Sequence, residues 1–186
     1  MTCENTGKNC GYSTWHEQRL EIAKIVIKYL ETKIPEILQV LEEKLEHGDE
    51  DEESHYINDV VKIPTIDLKY HIEKLQDKFI KPFNQAKSDD CKFRVVEHPE
   101  IYHLKEVLCY FGVYGIHLLL RQGDCGGLYT VGEAHDILLM LDTIKPYFDT
   151  SSEIYETVYT IESVFSSPIY NVFKDSVTTL QPIRIT

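Results

Sequence analysis

Few residues in this chain combine the type and the spacing that chemistry needs. Glu100 and His103 form a Glu-x-x-His pair. Residues three apart share a helix face, so the pair can offer a carboxylate and an imidazole to one metal ion. Di-metal carboxylate bundles need two such motifs and two further carboxylates from facing helices. This sequence has one copy. Glu133 and His135 are two apart and point to different sides of a helix. Glu43 and His47 are four apart, near a helix end. Glu100 and His103 are therefore the metal candidates. The expectation for them is polar surface, with no metal and no cofactor.

Cysteine chemistry has less support. Cys3 and Cys10 have six residues between them, where zinc sites use two to four. Cys125 sits in the turn Gly-Asp-Cys-Gly-Gly, five residues before a helix cap at Thr130. A helix N-terminus activates a thiol only at close range. The same turn has no lysine after it and carries Asp124, so it does not read as a phosphate loop. His117 lies in the most apolar stretch and reads as a core histidine. With no nucleophile, base and orienter brought together by spacing, the chain is expected to be no enzyme.

Composition limits the partners. The chain has 186 residues, with 19 basic and 31 acidic, a net charge of −12. That charge repels phosphate backbones, so nucleic acid is not expected. The longest apolar run, 107–120, is shorter than the span of about 20 residues that a membrane helix needs. The first 14 residues are polar, with no apolar signal region. Five cysteines without paired spacing read as reduced thiols. Together these predict a cytoplasmic or nuclear protein that is not secreted.

The elements that must position any site are helical. Leu20, Ala23, Ile27, Leu30, Ile34, Ile37 and Leu41 share one face of a first helix, opened by the capping box Thr14/Glu17 and kinked or broken at Pro35. An acidic loop, 48–54, follows. A linker over 54–64 leads to a second helix with Leu68, Ile72, Leu75, Phe79 and Phe83 on one face, frayed at Pro82. Residues 84–97 read as irregular. A helix over 99–122 turns apolar on all sides, so neighbours must bury it all round. Gly112 and Gly115 inside it imply close approach of another helix. Capping boxes at Thr130/Glu133 and Thr150/Glu153 open two more helices, and Pro168 opens a last one. No alternating strand run stands out. The predicted fold is an all-α, single-domain bundle of about five to seven helices around the central apolar helix 99–122. Its organisation is a flexible segment 1–13, a helical domain 14–180 and a loose tail 181–186.

The stretch 104–149, with its apolar helix, Gly-containing turn and the helix ILLMLDTIKPYFD, resembles the C-terminal half of poxvirus immunomodulators. Those share the helical bundle of the B-cell-lymphoma apoptosis regulators. The segments KYLETKIPEIL, HPEIYHLKEVL and IHLLL are similar to helices of the eleven-S proteasome activators. The chain lacks the Asn-Trp-Gly-Arg signature of the first family and the long final helices and C-terminal aromatic of the second. No functional residue is carried over from either.

The leading expectation is a non-catalytic intracellular module that binds another protein through a helical-bundle surface or groove, with self-association as an option for its first helix. One alternative is a viral modulator of apoptosis or innate immune signalling. The other is a metal-dependent or small-molecule enzyme with its site inside the bundle.

Overall fold

The computed structural model describes residues 12–46, 54–57, 61–97, 99–121, 127–147 and 168–185. The architecture is all-α, with two short strand pairs as its only sheet among the described residues. The chain forms two compact units. One holds Ile27–Gly112; the other holds Met1–Val26 together with Val113–Thr186.

The first helix, α1 (Tyr12–Glu46), contributes to both units. It starts two residues before Thr14 and runs through Pro35 as one helix, so of the kink or break expected there the break does not occur. Pro35 is exposed, so its ring meets solvent and the missing N–H costs one bond on the outer face. The stripe Leu20, Ala23, Ile27, Leu30, Ile34 and Leu41 is buried, joined by Ile22, Val26 and Tyr29.

In the unit Ile27–Gly112, the expected linker is an antiparallel pair, β1 (Ser54–Ile57) and β2 (Val61–Pro64). The β-branched residues Val61 and Ile63 of β2 suit a strand. Helix α2 (Thr65–Leu75) follows, then a π-helical turn Gln76–Ile80, then α3 (Lys81–Gln85). The π turn has a cause in the sequence. The Leu75, Phe79, Phe83 row steps four residues each time, which drifts about 40° per step on a 3.6-residue helix. One wide turn, marked by the Lys81 amide bonding to the Gln76 carbonyl, absorbs that drift. It also opens the turn into which Pro82 brings no N–H. Leu68, Ile72, Leu75, Phe79 and Phe83 are all buried.

Residues 89–97, expected as irregular, form helix α4 (Asp89–Glu97). Ser88 caps it: its Oγ accepts the Cys91 N–H at 3.2 Å. Asp89 and Asp90 in the first turn complement the helix dipole, and Phe93 and Val96 bury one face.

The central helix 99–122 is corrected. It is three pieces: a 3-10 turn Pro99–Leu104, α5 (Lys105–Tyr110) and α6 (Gly115–Arg121). The interruption falls at Gly112, whose φ is 69°. Glycine enters that left-handed region without a Cβ clash, so the helix can end there. The Gly112 N–H closes the turn onto the Cys109 carbonyl at 2.9 Å. Tyr29 hydroxyl donates to the Phe111 carbonyl at 2.9 Å and anchors α1 to the same turn. The apolar residues of the run are buried as expected.

In the other unit, α6 and α8 (Pro168–Thr179) pack on α7 (Val131–Ile144). Gly115 is where α6 meets the α7 backbone. A Cβ placed there would lie 2.6 Å from the Asp136 carbonyl oxygen. The expected close helix approach thus belongs to Gly115, while Gly112 serves the turn. The tail 181–186, expected to be loose, holds β4 (Ile183–Ile185), which pairs antiparallel with β3 (Gly127–Tyr129). Leu180 turns the chain into that strand at φ 55°, and the Gln181 N–H bonds back to the Ser176 carbonyl. Leu180 is exposed, so it does not extend the buried face of α8. The residues 1–11, with Cys3 and Cys10, the acidic run 49–53, Cys125 with most of its turn, and the Thr150/Glu153 cap lie outside the described residues.

Candidate functional site

Glu100 and His103 fall in the 3-10 turn Pro99–Leu104, where residues three apart eclipse. Both are exposed. The Glu100 carboxylate lies 3.5 Å from the Lys78 ammonium. Among the described residues, no group of three or more His, Cys, Asp or Glu side chains converges as metal ligands would. Glu43 is exposed and accepts from the Gln39 side-chain amide at 3.1 Å. His135 is exposed, with Nδ1 3.9 Å from Asp136.

Glu133 has a structural task. It completes the capping box of α7: Thr130 Oγ1 accepts the Glu133 N–H at 3.2 Å, and the Glu133 carboxylate accepts the Thr130 N–H at 2.9 Å. Its carboxylate also pairs with Arg121. Burial alone would raise its pKa, but the Thr130 amide and the Arg121 guanidinium overcome that and hold it below the usual value. Tyr129 is fully buried nearby in sequence. Its hydroxyl donates to the Leu119 carbonyl at 3.2 Å and its ring meets Phe173 edge-on. Burial raises its pKa strongly against the opposing charges of Arg19 and Arg121.

His117 is a buried residue of α6, its ring 5.9 Å from that of Tyr114. Burial lowers its pKa below the ordinary 6.5, and the charge of Arg121 adds to the effect. A neutral ring is therefore the form that the fold accommodates. As pH falls through 6.5 the unfolded chain takes up this proton while the folded chain resists it. Stability is complete above that value and declines below it, by at most about 1.4 kcal/mol per pH unit for one proton, until the folded pKa is passed. The expected result is a slope in urea-unfolding free energy between pH 6.5 and about pH 5, above the range where carboxylates join in. His117→Gln flattens that part of the slope. An unchanged slope would show that His117 is already solvated.

A concave feature of the unit Ile27–Gly112 lies elsewhere. A groove of about 300 Å³ is lined by Glu31, Ile34 and Pro35 of α1, and by Gln76, Ile80, Lys81 and Asn84 of the α2–α3 segment. Two sequence irregularities meet there. Pro35 on α1 supplies no N–H to the Glu31 carbonyl one turn back. On the other wall, the π turn Gln76–Ile80 widens the helix just before Pro82. Ile34 and Ile80 form the buried floor, while Glu31, Pro35, Lys81 and Asn84 stand exposed at the rim. Asn84 Nδ2 donates to Glu31 Oε1 at 2.6 Å and joins the two walls. Lys81 is engaged by Asp77.

This arrangement is suited to holding a side chain or a short segment. It has an apolar floor, hydrogen-bonding groups at its edge and walls bridged by one side-chain hydrogen bond. The weak metal candidates of the sequence do not line it. Reading the sequence missed Glu31, Gln76, Lys81 and Asn84, although both prolines, Pro35 and Pro82, were visible as irregularities. Among the described residues no helix is long and apolar enough to cross a membrane. No family model, no curated protein and no solved structure matches this chain.

Proposed function

We propose that this chain is a non-catalytic protein-interaction module whose groove beside Pro35 receives a segment of another protein. The observation that carries the reading is the groove itself: Ile34 and Ile80 at its floor, with exposed polar groups of Glu31, Asn84 and Lys81 around it. A groove between helices is a common seat for an amphipathic segment, because the floor takes an apolar stem and the rim fixes register. The rim is on the surface, as docking of a partner chain requires.

The test is affinity capture with three baits. They are the unaltered chain, Asn84→Arg, which fills the groove from its rim, and Lys174→Glu at an exposed position of α8 in the other unit. Both altered positions are exposed, so all three baits should melt within a few degrees of one another. A protein retained by the first and third baits and lost from Asn84→Arg supports the proposal. Equal retention by all three, or no captured protein, overturns it.

A further inference from the structure

We infer that the occupant of the groove is an arginine side chain on a basic segment of the partner, its guanidinium at Glu31 and its stem over Ile34, Pro35 and Ile80. The inference rests on the docking reading above and gives it a chemistry.

Hydrogen-bond acceptors gather at the groove. Glu31 Oε1 accepts from Asn84 at 2.6 Å, which leaves Oε2 of the same carboxylate for a ligand. The Glu31 carbonyl lacks its helical donor because residue 35 is proline. Gln76 and Asn84 line the groove, and each side chain carries an amide oxygen that can accept a hydrogen bond. The cation of the lining, Lys81, is already paired with Asp77. An anionic ligand would meet Glu31 with Lys81 neutralised. A purely apolar ligand would cover these acceptors and give them no donor, which is costly. A lysine ammonium is a compact point charge. A guanidinium presents five N–H donors in a flat fork and can serve a carboxylate and amide oxygens together. Its three methylenes suit the apolar floor.

The surroundings favour a basic segment over an isolated arginine. The α1 face that carries Glu31 and Pro35 continues through half-buried Leu38 to exposed Glu42 and Glu46. These positions recur at spacings of three and four, so they share that face. The chain carries a net charge of −12. A like-charged partner would be repelled, and a basic one is steered to this side.

The test uses a synthetic helical peptide of alanine and leucine with arginine at every fourth position. Matched peptides carry citrulline or lysine in place of arginine. Each is titrated into the full chain labelled with nitrogen-15. The expected result is movement of the Asn84 and Gln76 side-chain amide signals with the arginine peptide. Binding should weaken about tenfold in Glu31→Gln, which keeps the bond to Asn84 but removes the charge. The citrulline and lysine peptides should bind at least about tenfold more weakly. Equal binding of the citrulline peptide at the groove overturns the arginine assignment and leaves the docking reading standing. Arginine-peptide binding that leaves these two amides unmoved, or is indifferent to Glu31→Gln, also overturns it. The docking reading fails separately, on the Asn84→Arg capture.

Discussion

Gly115→Ala is expected to lower the stability of its unit by about 3 kcal/mol or more, the upper range for overpacking a tight core. The added methyl would lie 2.6 Å from the Asp136 carbonyl oxygen and 2.7 Å from the Ile137 Cα. Both are backbone atoms in the middle of α7, so no rotamer change can clear the way. Either α6 moves outward or α7 does. Moving them apart loosens the packing of Ile116, Leu119, Ile137 and Leu141, all fully buried. Gly132 supplies the contrast. It is exposed on the same α7, and a Cβ there meets nothing within 4 Å. Gly132→Ala should instead stabilise by about 0.5–1 kcal/mol, through reduced freedom of the unfolded chain and better helix propensity. Two identical substitutions thus carry opposite signs, and thermal melts read both. At about 2–4 °C per kcal/mol for a chain of this size, the first falls by roughly 6–12 °C and the second rises by a few degrees. A Gly115→Ala protein that melts with the unaltered chain would show that α6 and α7 do not approach as closely as described.

Those glycines also show which parts of the fold are legible in the sequence. The buried stripes of α1 and α2 follow from spacing alone, because one helix face needs no knowledge of what covers it. The Thr130/Glu133 capping box is equally local, and its two hydrogen bonds are present. What the sequence obscures is the choice between two uses of the same residue. Gly112 and Gly115 lie three apart in one apolar run, and only the fold separates a left-handed turn from a helix contact. The helix α4 was within reach: Ser88, then Asp89 and Asp90, is a helix-opening pattern, and Phe93 and Val96 share a face. The pairing of β3 with β4 joins residues more than fifty positions apart, and three-residue strands leave almost no pattern.

The groove was hidden for the same reason as that strand pair. Its lining comes from 31–35 and 76–84, and no local rule states that these segments face each other. Each half was visible only as a flaw. Pro35 read as a kink or break in a helix and Pro82 as a frayed end. In the fold both helices continue, and the flaws are where the surface is concave and where the Glu31 carbonyl lacks its helical donor. The Glu-x-x-His pair, by contrast, was conspicuous as a motif, yet Glu100 and His103 lie on an exposed 3-10 turn beside Lys78. Motif spacing reports what two side chains share. It does not report whether anything else converges on them.

Ile27→Asp is expected to unfold the unit Ile27–Gly112 at neutral pH. Ile27 is 3% exposed on the face of α1 that also buries Leu30 and Ile34. The substitution removes an apolar side chain from a close-packed site, which costs several kcal/mol as a cavity. It also places a carboxylate where water does not reach. An isolated buried charge is costly enough that the group takes up a proton instead, so its pKa in any folded molecule must lie above the ordinary aspartate value. The sum exceeds about 5 kcal/mol, comparable to the whole stability of many domains. The sign with pH follows from the proton. With its folded pKa raised, the variant loses most above that folded value, and recovers part of the loss as pH falls from it towards the ordinary aspartate value, where the folded chain holds the proton and the unfolded chain does not. Ile27→Asn, which leaves a similar cavity but cannot ionise, should show no such recovery. Far-ultraviolet circular dichroism and urea titration of the two variants, from pH 7 down to about pH 5, measure the difference without interference from most other carboxylates. A cooperative melt of Ile27→Asp at neutral pH equal to that of the unaltered chain would mean that this face of α1 is open to water. The floor of the groove would then lose its support as well, because Ile34 lies on the same buried stripe as Ile27.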